Sequence, residues 1–330
     1  MTKPVSGRLR FRDGIRQHYP DVLTPAAIDA LEALAGFNLK RREIMHTRIE
    51  RRNMRFKEGL RIGFLDPAVY IPGVGITVQQ AREGRFDGSD IPHDLQRQWI
   101  QGTGPATRPR ATVEAGIRNV AYALLSGADG WMFDGEDALG QVDTMSLDNQ
   151  RNLSIALAGK EPFLRVAENV AAKMNAWAEG FFGHKIIKNW KQQLDFTTRI
   201  YRSRGLHLDD RHIRDGNGSG FSASIVDKAL YVVNNHQTLL SQGRSIVIYL
   251  PKIQTAEEAA LWNDILGALE QHLGLAAGTV KVYVLVEQIE ASYQLMEIRA
   301  ALACRFIGFN TGRWDYINSV ADALAWDKAF

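Results

Sequence analysis

Apolar positions along the chain change period near residue 98. Before that point the clear pattern is helical: Ile28, Leu31 and Leu34 recur behind Thr24-Pro25, a cap and first-turn pair, and the pattern stops at Gly36. No strand-like run precedes Trp99, so residues 1–95 read as a helical N-terminal region. Beyond residue 98, short apolar runs alternate with helical segments, as βαβ units around a parallel sheet require. The runs predict six strands, at 98–102, 131–134, 199–204, 245–250, 281–287 and 305–310. Helical patterns fall between them at 113–125, 222–240, 255–273 and 290–302, the third opened by Thr255 and Glu258 as a capping box. Each crossover is long enough for a parallel return. Residues 96–330 are therefore expected to form an α/β domain, a barrel or an open sheet. The stretch 141–198 exceeds one crossover and predicts an excursion, with a short strand possible at 163–166.

Composition adds limits. The chain of 330 residues has 45% apolar and 23% charged residues, enough for one large domain and a smaller one. A net charge of +3 suits anionic small molecules and falls short of a nucleic-acid footprint. Eight Lys or Arg against two Glu lie in 40–57, a phosphate-binding face or a solvated helix face. The single cysteine, Cys304, lies in an apolar run and reads as a buried thiol of a reducing compartment, which predicts a cytoplasmic protein. No stretch approaches the roughly 20 apolar residues of a membrane span, and the first residues lack the apolar region of a secretion signal.

Barrels of this kind carry their chemistry at the carboxyl ends of strands. There the second strand runs into Asp134-Gly135-Glu136-Asp137, the fifth ends at Glu287, and the sixth leads to Gly312-Arg313-Trp314-Asp315-Tyr316. Carboxylates gathered from separate strands repel unless a cation holds them, and hard oxygen donors favour Mg²⁺; the alternative is helix caps or surface acids. Arg108 follows the Gly104-Pro105 turn, where a guanidinium could face an anionic substrate or a developing enolate, or simply lie in solvent. The glycine-rich stretch 215–220 lacks the lysine of a phosphate loop and reads as a flexible loop. His207 fits an acid or base, or a structural histidine. Gly-x-Ser-x-Gly, Cys-x-x-Cys and His-Glu-x-x-His motifs are absent, so serine-hydrolase, zinc and redox readings have no support.

Taken in order, these segments resemble the malate synthases of the shorter, A-type group. Thr103-Gly104-Pro105-Ala106-Thr107-Arg108 is similar to Thr-Gly-Pro-Val-Asp-Arg, and Met132 to Asp137 to Met-Ala-Asp-Phe-Glu-Asp. Arg204-Gly205-Leu206-His207-Leu208, Tyr249-Leu250-Pro251-Lys252, Leu285-Val286-Glu287 and Gly312-Arg313-Trp314-Asp315-Tyr316 continue the likeness, the last without change. The resemblance implies a TIM-type (β/α) barrel that joins glyoxylate to acetyl-CoA and hydrolyses the product to malate and CoA. It implies Mg²⁺ held by Glu287 and Asp315, with Asp134 and Glu136 nearby through metal-bound water. Backbone N–H groups at Gly312, Arg313 and Trp314 would seat glyoxylate, and Arg108 would stabilise the enolate.

Two departures qualify those expectations. Family members continue for roughly two hundred residues past Gly-Arg-Trp-Asp-Tyr, supplying the last barrel strands, the catalytic base and much of the CoA site. An incomplete barrel of about six strands is therefore expected, with no base assignable and the chain alone inactive. Met132-Phe133-Asp134-Gly135 replaces Met-Ala-Asp-Phe, which implies different packing around the acidic motif. A hydroxyacyl-CoA C–C lyase, or a non-catalytic remnant binding small oxo acids, are the alternative readings.

Overall fold

A computed structural model describes residues 9–137 and 141–329, so the first eight residues of the expected N-terminal region lie outside it. The chain opens with strand β1 (Arg10–Phe11) and helices α1 (Ile15–His18), α2 (Pro25–Leu34), α3 (Phe37–Glu58) and α4 (Val78–Arg82). Thr24 caps α2 by accepting the Ala27 N–H, as its pairing with Pro25 predicts. Ala27, Ala30, Leu31 and Leu34 on that helix are buried against the two barrel-wall helices Ala223–Ser241 and Ala256–His272.

The next elements are β2 (Trp99–Gln101), α5 (Val113–Leu124), β3 (Gly130–Asp134), α6 (Met145–Ala158), α7 (Phe163–Phe182), α8 (Trp190–Phe196) and β4 (Thr198–Arg202). After them come β5 (Asp209–Arg214), β6 (Gly220–Ser222), α9 (Ala223–Ser241), β7 (Ile246–Leu250), α10 (Ala256–His272) and β8 (Val280–Val286). The chain closes with α11 (Ile289–Ser292), α12 (Leu295–Leu302), β9 (Phe306–Thr311) and α13 (Arg313–Ala323).

Six strands form one parallel sheet in the order β2-β3-β4-β7-β8-β9, and these are the six expected from the apolar runs. Both faces of the central strand β7 are covered, which is why it reads as an unbroken apolar run, whereas edge strand β2 is partly exposed and β4 carries Arg199 and Arg202. In β7, Ile246, Ile248 and Leu250 pack outward under the helices, while Val247 and Tyr249 join Met132, Ile200, Tyr283 and Leu285 on the inner face. The sheet is curled: the Tyr249 hydroxyl accepts from Asn310 on β9 at 2.9 Å and from Gln101 on β2 at 3.4 Å, so both edge strands converge on one inner residue. This is an incomplete (β/α) barrel whose edges, among the described residues, are not joined by further strands.

Several local expectations are corrected. Residues 163–166 are the first turn of α7, not a strand; Phe163, Val166, Ala167, Val170 and Ala171 are buried at helical spacing, and four residues were too few to separate the two periods. Stretch 215–220 is the tight turn joining β5 to β6, closed by the Asp215 N–H on the Ser219 carbonyl, within a small antiparallel sheet that also takes in β1. Cys304 is exposed, because the turn after α12 lifts it out of the apolar run that surrounds it in sequence. Thr255 caps α10, but Glu258 reaches back to the Gln254 N–H rather than to Thr255, so the box is only half formed.

Helix α9 brings a lysine into the core. Lys228 is 1% exposed, donates to Ser203 and, at 2.9 Å, to Ser224, and lies 3.7 Å from the centre of the Trp262 ring. Burial away from a bonded carboxylate pushes its ammonium down to about 7. The unfolded chain then holds the extra proton between about pH 7 and 10.5, so this group makes stability rise with pH across that window. Lys228→Met is expected to flatten that rise, seen as a wild-type-minus-variant unfolding free energy that climbs from pH 7 to 10.

Candidate active site

Five carboxylates meet at the carboxyl ends of the strands, around two cations that the sequence reading did not place there. Lys252 follows β7 in the left-handed region (φ 57°), an uncommon conformation for a side chain of this size. Its backbone N–H donates to Glu287 Oε1 at 2.7 Å, and Arg48 from α3 holds its carbonyl at 2.9 Å. So anchored, its Nζ lies 2.6 Å from Asp315 Oδ2, 3.1 Å from Glu287 Oε2 and 3.9 Å from Glu136 Oε2. The second cation is Arg202, at the end of β4. It grips Asp134 through Nε at 3.0 Å and a terminal nitrogen at 2.8 Å, and reaches Asp137 at 2.5 Å and Glu136 at 3.7 Å.

The acids are not equivalent. Asp134 is saturated: besides Arg202, its Oδ1 accepts the N–H groups of Glu136 and Asp137. Glu136, 6% exposed, has an Oε2 with no hydrogen-bond partner, and burial pushes its carboxyl up to about 7 despite Lys252 and Arg202. Glu287, 1% exposed, is pushed up to about 8, first by burial and then by a hydrogen bond shared with Asp315. Burial also opposes ionisation of Asp315, but the bonds from Glu287 and Lys252 hold it below the usual range. The cluster thus shares one mobile cation, the Lys252 ammonium, among three carboxyls that cannot all ionise cheaply.

Two glycines permit this crowding. A β-carbon at Gly312 would lie 2.8 Å from Glu287 Cβ and 3.1 Å from Leu285 Cδ1, so α13 can start close enough to bring Asp315 to Glu287 only with glycine there. A β-carbon at Gly135 would lie 2.7 Å from the Arg202 carbonyl oxygen, and the bulkier residue of the resembling motif would not fit this path of the chain.

Glu287, Asp315 and Glu136 come together as the strand ends imply, with Asp134 one step away behind Arg202. The N–H groups of Arg313, Trp314 and Asp315 in the first turn of α13 have no acceptor among the described residues, while that of Gly312 is taken by the Val286 carbonyl. Trp314 itself is 77% exposed. Arg108, in the loop after β2, is exposed, and its side chain makes no hydrogen bond or ion pair among the described residues. The guanidinium at the cluster is Arg202, which the rule of strand ends would have found had β4 been ended at 202 rather than 204. Lys252 was hidden for another reason. Nothing local in Tyr249-Leu250-Pro251-Lys252 shows that a left-handed turn will swing its side chain across two neighbouring strands.

Helix α3 covers the mouth. Arg41, Arg48 and Arg55 are spaced seven apart, hence on one face. Arg41 bonds Asp209 and the Leu206 and Leu208 carbonyls, Arg48 bonds Lys252 and Gln288, and Arg55 pairs with Glu290. The basic run is therefore neither a free phosphate face nor wholly solvated; one side of it is clamped to the loops after β4, β7 and β8. His207 lines the same mouth with Arg48, Gln254 and Gln288.

Among the described residues, no three His, Cys, Asp or Glu side chains stand ready to chelate a metal as arranged. Nor is any helix long and apolar enough to cross a membrane.

Comparison with known proteins gives the cluster a context. Residues 198–328 match the family described as malate synthase, TIM barrel domain, a span that contains Arg202, Lys252, Glu287 and Asp315. The chain is 32% identical over 309 residues to a malate synthase of Myxococcus xanthus, covering 94% of this chain and 50% of that protein. It is 29% identical to malate synthase A of Escherichia coli, covering 97% and 53%, and 36% identical over 234 residues to a bifunctional glyoxylate cycle protein of Caenorhabditis elegans, covering 71% and 21%. The chain spans about half the length of the malate synthases it matches.

Proposed function

We infer, for a chain that carries a malate synthase TIM barrel domain over residues 198–328, that its strand-end cluster holds the metal and the glyoxylate of a condensation with acetyl-CoA that ends in malate and CoA. The observation that carries the reading is the convergence of Glu287, Asp315 and Glu136 on one ammonium. Hard oxygen donors, an orphaned Glu136 Oε2 and a cation already drawn to their centre fit a divalent ion of the Mg²⁺ type, once the flexible Lys252 side chain withdraws. Glu287 and Asp315 would bind it directly, with Glu136 and Asp134 behind. Mg²⁺ would polarise the glyoxylate aldehyde as a Lewis acid.

The protein groups supply the rest. The open N–H groups of Arg313, Trp314 and Asp315 present the positive end of α13 to the glyoxylate carboxylate. Arg202, fixed by Asp134 and Asp137, stands at the cluster and is one guanidinium for negative charge developing on the enolate oxygen; Arg108, from the loop after β2, is the other. Removing a methyl proton from acetyl-CoA needs a carboxylate or imidazole able to accept it; the acids of the cluster are engaged by Arg202, Lys252 or the expected metal, and His207 at the mouth is a weak base, pushed down to about 4 by burial and by Arg48, Lys252 and Arg41. No residue of this chain is assigned that task, so the chain alone is expected to show no glyoxylate-dependent release of CoA thiol.

Calorimetric titration of glyoxylate tests the reading without requiring turnover. With Mg²⁺ present a single saturable site is expected, abolished by chelator and by Asp315→Asn. Heat that is indifferent to both would refute it.

A further inference from the structure

A large cavity lies at the other end of the sheet. About 600 Å³ in volume, it opens between the amino ends of β4 and β7, helix α8 and the carboxyl ends of α6 and α9. Its charged lining is Arg97, Lys191, Arg199 and Arg244 against Asp94 and Asp195, four cations less two anions, or +2. The two acids do not balance the interior. Both oxygens of Asp94 are taken by Ser245, through its N–H at 3.0 Å and its hydroxyl at 2.7 Å. The Asp195 side chain is 83% exposed and pairs with Arg244 at the rim.

Arg199 is the unusual member. It is 5% exposed, has no carboxylate partner, and donates only to the Leu194 carbonyl at 2.6 Å and the Thr197 carbonyl at 3.2 Å. Its Nε has no partner. The carbonyls that close α8 offer partial negative charge, but not a counter-ion. Burial, and then the neighbouring Arg244, push this guanidinium down to about 9, and burial lowers Arg244 as well. A guanidinium keeps its proton at neutral pH, so an unpaired charge stays inside the protein beside a second one. Leu157, Phe163, Leu164 and Leu239 line the remainder, giving a carbon body somewhere to rest.

We propose that this cavity is a binding site for a small phosphorylated molecule, its phosphate held by Arg199 and Arg244 with Arg97 and Lys191 at the entrance. Three guanidiniums lining one partly enclosed cavity match a dianionic phosphate in charge and in fork geometry, and the apolar wall makes an organic phosphate a better fit than the free ion. The site is remote from the strand-end carboxylates and does not depend on how those are read.

Inorganic phosphate is the simplest probe. Titrated into the whole chain, it should bind saturably and raise the melting temperature, and glycerol 3-phosphate should bind more tightly. Arg244→Ala and Arg97→Ala, near the rim, should each weaken phosphate about tenfold or more, the loss of one charge-assisted hydrogen bond. Arg199→Met should abolish binding. Arg52→Ala, among the cations at the opposite mouth, should leave it intact. No saturable phosphate binding by the unaltered chain, equal binding by the Arg199 and Arg244 variants, or loss on Arg52→Ala would each overturn the proposal.

Discussion

Asp227→Ala is expected to cost about 3–5 kcal/mol of stability, the penalty for leaving a buried charge without its partner. Asp227, 1% exposed on α9, holds Arg204 in a two-pronged grip at 2.9 and 2.7 Å and also accepts the Arg204 backbone N–H at 3.0 Å. Arg204 is itself 1% exposed and takes its second acid, Asp210, at 2.7 Å; Asp210 in turn caps the N–H groups of His212 and Ile213. One guanidinium therefore ties the end of β4 to α9 and to β5. Without Asp227, Asp210 alone faces a fully desolvated cation, and the loop that follows Arg202 loses its anchor. Guanidinium-chloride unfolding should show a lower midpoint with little change in slope. Replacing both partners, Arg204→Met with Asp227→Leu, should recover part of the loss, since two apolar groups need no counter-charge.

That network marks the limit of what can be read along the chain. The central strands β7 and β8 are legible because each is a largely apolar run bounded by turns with both faces buried, while β2 and β4 are legible only as short segments between helical patterns. β5 was not: Asp209–Arg214 is Asp-Asp-Arg-His-Ile-Arg, a charged stretch whose strand character comes from pairing with β1 and β6. At the site the acids were legible, since acids after strand ends are visible in sequence. Their counter-ions were not, because Lys252 and Arg202 reach carboxylates at least 35 positions distant. The resemblance that drew attention to Arg204-Gly205-Leu206-His207-Leu208 pointed at a segment whose arginine ties elements together, while Arg202, two residues earlier, faces the acids.

The second large effect is expected at Lys252. Lys252→Met removes the cation shared by Glu136, Glu287 and Asp315, and leaves one anionic carboxyl and two that burial and their neighbours already hold toward protonation. In chelator at about pH 8, where carboxyls raised to about 7 and 8 must begin to ionise, the variant should melt about 5 °C or more below the parent. Millimolar Mg²⁺ should restore most of that loss, and its stabilising effect should exceed that on the parent chain, where the ion must first displace the ammonium. A variant that stays low in Mg²⁺ would mean that Lys252 supports the fold without standing where a metal binds.

Glu287 and Asp315 are expected to be the two direct donors to one divalent ion. Mn²⁺, visible by electron paramagnetic resonance and a fair substitute for Mg²⁺ at oxygen donors, reads this directly. The parent chain should bind one Mn²⁺, displaced by excess Mg²⁺; Glu287→Gln and Asp315→Asn should each abolish that signal, and Arg108→Ala should leave it unchanged. Undiminished Mn²⁺ binding in either carboxylate variant would contradict the account.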